Sequence, residues 1–547
     1  MNGARNGIMS MELLLLGGNI YTVDRNFSRA SVLAVRGNEI VYVGNDRAAG
    51  AALLSAGARV VELDGRTVVP GFIDSHMHFL TQGRHLLELD LFGKSKDEIL
   101  EMVAQEAARL APEQWIIGRG WDHESWHRKE WPTCRELEAV APRHPVALTR
   151  ADAHSMWANS LAMQAAGLDR NSPQPVGGEI LKTADGDLLG ILIDTPMHKV
   201  WGAMPPLTPE QMDDSCRRAQ QAFFSYGITS LGDAWEGMRD VESLQNAYAR
   251  GLLKIRIYGM MASANLKGEP YFKEEFRPIM GQFGERFTMR AFKAVLDGSL
   301  GSRSAWLSRD YADRPGHRGN GRYSDDELYQ MLLPPVRNGF QICSHAIGDA
   351  AVLQGVRVME RVLRELPDTD HRHRIEHFQI ASPETVRRAV NLGLVPAMQT
   401  QHALADRHMA EARLDADLLA ASYPWRKVLD SGGIIANGSD SPMDAMNPFA
   451  GFYAAVSRKD FSLLLPQERR NLALSREEAL KSYTIWAARA EFAEGRKGSL
   501  EEGKLGDFAV LDRDIMTCPE EDIPETAVLM TVLGGEVVHE ETERSRP

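Results

Sequence analysis

Residues 71–78 read GFIDSHMH, an apolar run introduced by Pro70 and closed by two histidines one residue apart. Side chains alternate faces along a β-strand, so His76 and His78 point the same way and Met77 the other. Two imidazoles at the end of a buried strand are costly unless something binds them. For an isolated HxH the ordinary alternative is a hydrogen-bonded surface pair. What the rest of the chain sets beside these two residues decides the matter.

Seven more short apolar runs follow the first, Thr67–His78: Gly227–Trp235, Leu253–Met261, Phe287–Asp297, Gly339–His345, Arg372–His377, Leu392–Gln401 and Gly433–Asp440. Amphipathic stretches such as DDELYQMLLPPVRN and SPETVRRAVNLG separate them. Buried strands alternating with helical periods indicate parallel βα units, and eight of them complete a (β/α)8 TIM-like barrel. Residues 84–226 are too many for one connecting helix, so an insertion of lid or substrate-binding material is expected after the first barrel strand.

Both chain ends carry small strands with Gly-Asn or Gly-Gly hairpin turns, as in ASVLAVRGNEIVYVG and AVLMTVLGGEVVHE. The fold expected is therefore α/β. Residues 1–10 are expected to be a loose leader, residues 11–66 and 495–547 a composite β-sandwich built from both chain ends, and residues 67–494 the barrel.

Bulk properties narrow the partners. A net charge of −13 argues against nucleic acid or an anionic membrane surface. No apolar stretch nears the roughly 18–20 residues of a membrane span. Cys134, Cys216, Cys343 and Cys518 are scattered with no CxxC pair. That excludes a cysteine-zinc module and fits a reducing compartment. MNGARNGIMSMELLLLGG has neither the apolar region nor the cleavage site of a secretory signal. The expectation is a cytoplasmic protein with a small-molecule substrate. A homodimer is carried only because two-fold pairs are the commonest assemblies.

The ends of the apolar runs carry the chemistry. They present His76 and His78, Lys293, His345, His377 and Asp440. In a barrel the C-terminal strand ends form the catalytic face, so these six side chains are expected to converge. Four imidazoles and a carboxylate suit zinc or a similar divalent ion. A lysine among them would repel cations unless desolvation lowers its pKa and the neutral amine captures CO2 as a carbamate. Singly, each residue has a plain alternative: a satisfied core histidine, a capping aspartate, a snorkelling lysine. Jointly, and in this order, they describe a metal centre.

The chain resembles the amidohydrolase superfamily, within the family-3 group that includes N-substituted formamide deformylases. The likeness rests on GFIDSHMHF, GRGWDHESW, TRADAHSMWANSLA, FKAVLDGSLGSRSA, SHAIGDAAV, RIEHFQ, NGSDSPM and GSLEEGKLGDFAVLD, and covers nearly the whole chain. It implies that His76, His78 and Asp440 hold one metal and His345 and His377 a second, with carboxylated Lys293 between them. Zinc is the metal favoured, two ions if Lys293 is carboxylated and one otherwise. Asp440 would also take the proton of the attacking water. Asp152 and His154, with Trp121, would approach the substrate from the insertion. The implied reaction is metal-dependent hydrolysis of a non-peptide C–N bond in an N-substituted formamide or other N-acyl amine. Ester, lactone or cyclic-amide hydrolysis and deamination on the same site are alternatives, as is a barrel that binds a metal or small molecule without turnover.

Residues 123–127, HESWH, match the HExxH of a zincin. That motif works only on a regular helix. The preceding GRG and the nearby Pro132 disfavour one here.

Overall fold

The computed structural model describes residues 11–151, 154–175, 178–263, 272–367, 370–459 and 466–541. The chain divides into two compact units, Met1–Gln82 with Cys216–Pro547, and Gly83–Ser215.

Eight parallel strands form the barrel of the first unit: β1 (Phe72–Met77), β2 (Ile228–Glu236), β3 (Arg256–Ala262), β4 (Phe287–Val295), β5 (Gln341–Ala346), β6 (Arg374–His377), β7 (Val395–Met398) and β8 (Ala436–Asn437). Each pairs in parallel with the next. The ring is drawn shut beyond the short β8, where the Asp440 amide donates to the His76 carbonyl at 2.7 Å and the His78 amide to that of Ser441 at 2.8 Å. Gly438 permits this approach: a Cβ there would lie 2.5 Å from the His76 nitrogen. Helices such as Asp349–Glu365 bury Val352, Val356, Met359 and Val362. A small apolar cluster of Ala234, Tyr258, Met260, Ala291 and Cys343 joins β2 to β5.

The run Thr67–His78 is two strands rather than one. Residues Thr67–Pro70 pair with the terminal strands, and the chain then crosses into β1 at Gly71, where a Cβ would meet Thr229 Oγ1 at 2.3 Å. Both chain ends contribute to one continuous eight-stranded sheet. Thr67–Pro70 links its halves, parallel to Glu12–Tyr21 and antiparallel to Phe508–Leu511. Leu13, Leu33, Val35, Val68, Phe508, Val510 and Val532 share one apolar cluster and Leu14, Leu16, Val32 and Ala34 a second, so the strands expected as a sandwich lie in one sheet with two clusters. Arg256 on β3 anchors it to the barrel through a buried two-pronged pair with Asp507, at 2.7 and 2.9 Å.

The inserted unit is shorter than the interval 84–226. The helix Pro209–Ser225 passes the boundary at Ser215, and Phe223, in the first unit, stacks on Phe79 of that same unit. The inserted unit has its own six-stranded sheet and a core containing Trp121, Trp126 and Trp157. Among the described residues no helix is long and apolar enough to cross a membrane.

Candidate metal centre

The C-terminal rim of the barrel brings the predicted side chains together. His76 and His78 share a face at the end of β1, with their Nε2 atoms 3.6 and 3.2 Å from Asp440 Oδ1. Met77, on the opposite face, is fully buried. Lys293 Nζ on β4 lies 3.1 Å from His76 Nε2. The His377 ring, at the end of β6, is 4.9 Å from the His76 ring and 4.5 Å from that of His345 on β5. Residues 217 or more positions apart, such as His76 and Lys293, thus meet across the barrel mouth, on strands that are not neighbours in the sheet.

Each ring is held from behind. His76 Nδ1–H donates to the Glu376 carboxylate, His78 Nδ1–H to the Ala234 carbonyl at 3.0 Å, and His377 Nδ1–H to Gln399 Oε1 at 2.8 Å. All three partners are acceptors, so the proton sits on Nδ1 and the Nε2 lone pair is left for a cation. His345 is turned the other way. Its Nε2 is 3.6 Å from Asp297 Oδ1, too long for a hydrogen bond, and this buried atom has no hydrogen-bond partner among the described residues. Asp297 itself accepts the amides of Trp306, Ile347 and Gly348 at 2.8–3.1 Å. Burial pushes its carboxyl up to about 7.

The electrostatics suit a metal site. Burial, then the neighbouring Lys293, pushes His76 down to about 4. Burial likewise brings His377 to about 3 and drives His345 well below the usual histidine value. His76, His377 and His345 are therefore neutral at pH 7, the form that ligates metals. Burial also lowers Lys293, against the pull of Glu376 and Asp440. For Asp440 burial alone would raise the carboxyl, but the His78 hydrogen bond and the nearby His377 and His76 hold it well below the carboxylate range. Both His377 (φ 70°) and Asp440 (φ 59°) sit in the left-handed region. Such backbone costs of order 1–3 kcal/mol and persists where surroundings enforce it. Around Asp440, Asp74 does the enforcing, accepting the Ser439 amide at 2.9 Å and its hydroxyl at 2.5 Å.

Among the described residues, two donor sets have ligand atoms within 4.8 Å of one another: His76, His78 and Asp440, and His377, His402 and Asp440. Imidazole nitrogens around one carboxylate oxygen fit a divalent ion. His402 was not among the residues picked out by sequence. It follows β7, and the run Leu392–Gln401 stops one residue short of it.

The inserted unit holds the remaining candidates. Asp152 lies outside the described residues. His154 is exposed and its Nδ1 pairs with Asp194 Oδ1 at 2.7 Å. Trp121, expected beside the substrate, is instead fully buried. Its ring packs near Trp126, Trp131 and Trp157 and its Nε1–H donates to the Leu148 carbonyl at 2.7 Å, the place of a core residue. HESWH forms only the single 3₁₀ turn His123–Ser125 before the chain extends at Trp126. His123 is buried and stacked on Trp131 while His127 is exposed, so the pair shares no helical face.

The chain is 30% identical over 545 residues to Protein LONG AFTER FAR-RED 3 of Arabidopsis thaliana, covering 96% of this chain and 91% of that one. It is 27% identical over 551 residues to the N-substituted formamide deformylase of Arthrobacter pascens, covering 97% and 99%. A solved structure of an uncharacterized metal-dependent hydrolase from Pyrococcus furiosus superposes with a TM-score of 0.75 at 26% identity, over 92% of this chain and all of that one. The Amidohydrolase family model matches residues 59–539, an interval that runs from the terminal sheet through every strand of the barrel and all the rim side chains just described. With that match and that rim, this chain belongs to the amidohydrolase family.

Proposed function

We propose that this protein is a divalent-metal hydrolase that cleaves the C–N bond of N-acyl amines, N-substituted formamides foremost. The observation that carries the reading is the cluster of Lys293, His76, His78, His377 and Asp440 at the barrel mouth, buried but for a half-buried His78. The choice of substrate draws support from the likeness to the Arthrobacter pascens deformylase. In this reading His76, His78 and Asp440 hold one ion and His345 and His377 a second. When bound, such ions supply Lewis acidity, polarising a carbonyl and making water a stronger acid.

The chain's own residues do the rest. Burial favours the neutral Lys293 amine. Its nitrogen can bond to the carbon of CO2, releasing one proton and leaving an anionic carbamate between the two ligand sets. The Asp440 carboxylate, held ionised, accepts the proton of the attacking water as its oxygen bonds to the acyl carbon. It then returns that proton to the amine nitrogen as the C–N bond breaks. For a formamide the products are formate and the free amine. Glu376 keeps the His76 ring in the required tautomer throughout.

Elemental analysis of the purified protein, combined with a turnover screen over formamides, other N-acyl amines, lactones and phosphoesters, tests the proposal. The expected result is bound transition metal and fastest turnover on a formamide, abolished by Asp440→Asn. Protein without metal, or activity indifferent to Asp440→Asn, would reject it. Fastest turnover on a lactone would keep the metal hydrolase and replace the substrate.

A further inference from the structure

We infer that His402 binds the substrate, accepting the N–H of the scissile amide beside Asp440 and so selecting N-monosubstituted amides. This rests on the proposed function and narrows the substrate class of that same site. β7 pairs with β6 on one side and with β8 on the other. A side chain that follows β7 therefore falls between His377, which ends β6, and Asp440, which follows β8. His402 opens the short helix after β7, and a ring nitrogen of it lies within 4.8 Å of ligand atoms on both neighbours. Asp440 returns a proton to the amine nitrogen in the proposed reaction, so that nitrogen passes beside His402.

Hydrogen bonding separates His402 from His76, His78 and His377, whose Nδ1–H groups are each tied to an acceptor behind the ring. Among the described residues neither ring nitrogen of His402 makes a hydrogen bond. Asp444 Oδ2 stands 3.9 Å from its Nε2, beyond hydrogen-bond range. The half-buried ring is thus left open to a bound molecule.

Its surroundings ask for a donor. Asp444 Oδ2 and Gln401 Oε1 are buried oxygens with no hydrogen-bond partner among the described residues. Gln401 Nε2–H donates to the Ala445 carbonyl at 2.7 Å, which ties the two segments together. Asp440 adds a further carboxylate, and a neutral imidazole keeps one acceptor nitrogen in either tautomer. A secondary amide brings an N–H to this acceptor-rich corner, whereas an ester, a lactone or an N,N-disubstituted amide brings none. Once the water oxygen has bonded to the acyl carbon, the amine nitrogen regains its lone pair. Held through its N–H by His402, it turns that pair to the proton on Asp440, and the C–N bond breaks as the proton is taken.

Steady-state rates of the metal-loaded full-length protein on N-butylformamide, N-butyl-N-methylformamide and butyl formate test this, together with elemental analysis and inhibition by butylamine and by formate. Wild type is expected to prefer N-butylformamide to its N-methyl derivative. His402→Ala should lower the ratio of kcat/KM on N-butylformamide to that on butyl formate about 5–10-fold, the worth of one hydrogen bond. Butylamine should inhibit the variant more weakly, while formate inhibition and metal content stay as in wild type. His402→Phe keeps the ring's bulk without its nitrogens and should give the same pattern, which serves if the alanine variant does not fold. His402→Gln, which keeps an acceptor, should recover part of the ratio. An unchanged ratio, wild type indifferent to the N-methyl group, or an ion lost with the variant would each overturn the inference and leave the proposed metal hydrolase standing. Wild type that cleaves none of the three substrates would reject the proposed function and the inference with it.

Discussion

Replacing Glu376 by Gln removes the charge behind His76 while preserving its shape. Glu376 and Arg374 both have fully buried side chains. Arg374 Nε and Nη2 donate to the two carboxylate oxygens at 2.8 Å each, and His76 Nδ1–H donates to Oε2. A glutamine offers one oxygen to these three donors and sets its own NH2 against the others. Beyond what that oxygen accepts, Arg374 has the Ser75 carbonyl, 2.7 Å from Nη2. Leaving one member of a buried pair uncompensated costs about 3–5 kcal/mol. The effect on the metal is separate: loss of a histidine's supporting carboxylate weakens binding ~10–100-fold, or about 1.4–2.8 kcal/mol at 1.4 kcal/mol per tenfold. Domains are stable by roughly 5–15 kcal/mol, so the variant is expected to remain folded and measurable.

Urea unfolding of metal-stripped protein reads the first quantity, and chelator competition with Zn2+ reads the second. The paired cation holds the Glu376 carboxyl below its ordinary 4.5 despite burial, so its contribution is complete above pH 4.5 and is lost as the pH falls further. The stability gap between wild type and variant should therefore be widest near neutrality and narrow in acid. The double replacement Arg374→Met with Glu376→Leu should recover stability, because an apolar pair restores a balanced interior, and should leave metal affinity low. A glutamine variant within about 1 kcal/mol of wild type that binds Zn2+ equally well would refute this reasoning, given the ~3 kcal/mol minimum expected.

Two further outcomes are expected. Burial lowers the pKa of Lys293 from its ordinary 10.5, so the wild-type fold loses stability as the pH falls below 10.5 towards the folded value. Metal-stripped Lys293→Met in CO2-free buffer lacks that slope. Its urea midpoint should gain on wild type from pH 10.5 to pH 7.5, and a gap independent of pH would count against the buried amine. His123→Ala should keep its metal and turnover, measured by elemental analysis and steady-state rates, at a stability cost of about 1 kcal/mol from the lost stack on Trp131. Loss of metal in that variant would return HESWH to consideration as a ligand motif.

Much of this molecule follows from local pattern. Alternation along GFIDSHMH puts His76 and His78 on one side, and the eight apolar runs mark the eight barrel strands, because burial on both faces demands continuous apolar sequence. Boundaries were less legible. The run Gly433–Asp440 yields only the two-residue strand Ala436–Asn437, since beyond it the backbone turns at Gly438 towards the left-handed Asp440. The six tryptophans of the insertion can be counted from sequence, yet only packing puts Trp121 inside a core.

What tertiary structure alone decided is which groups stand behind the rim. Glu376 meets a histidine 300 positions away, Asp297 faces His345, and His402 joins Asp440 from a segment whose apolar run had already ended. Periodicity reports which face of an element is buried. The partner waiting there, and so the nitrogen each imidazole keeps free, depends on ring closure between strands far apart in the chain.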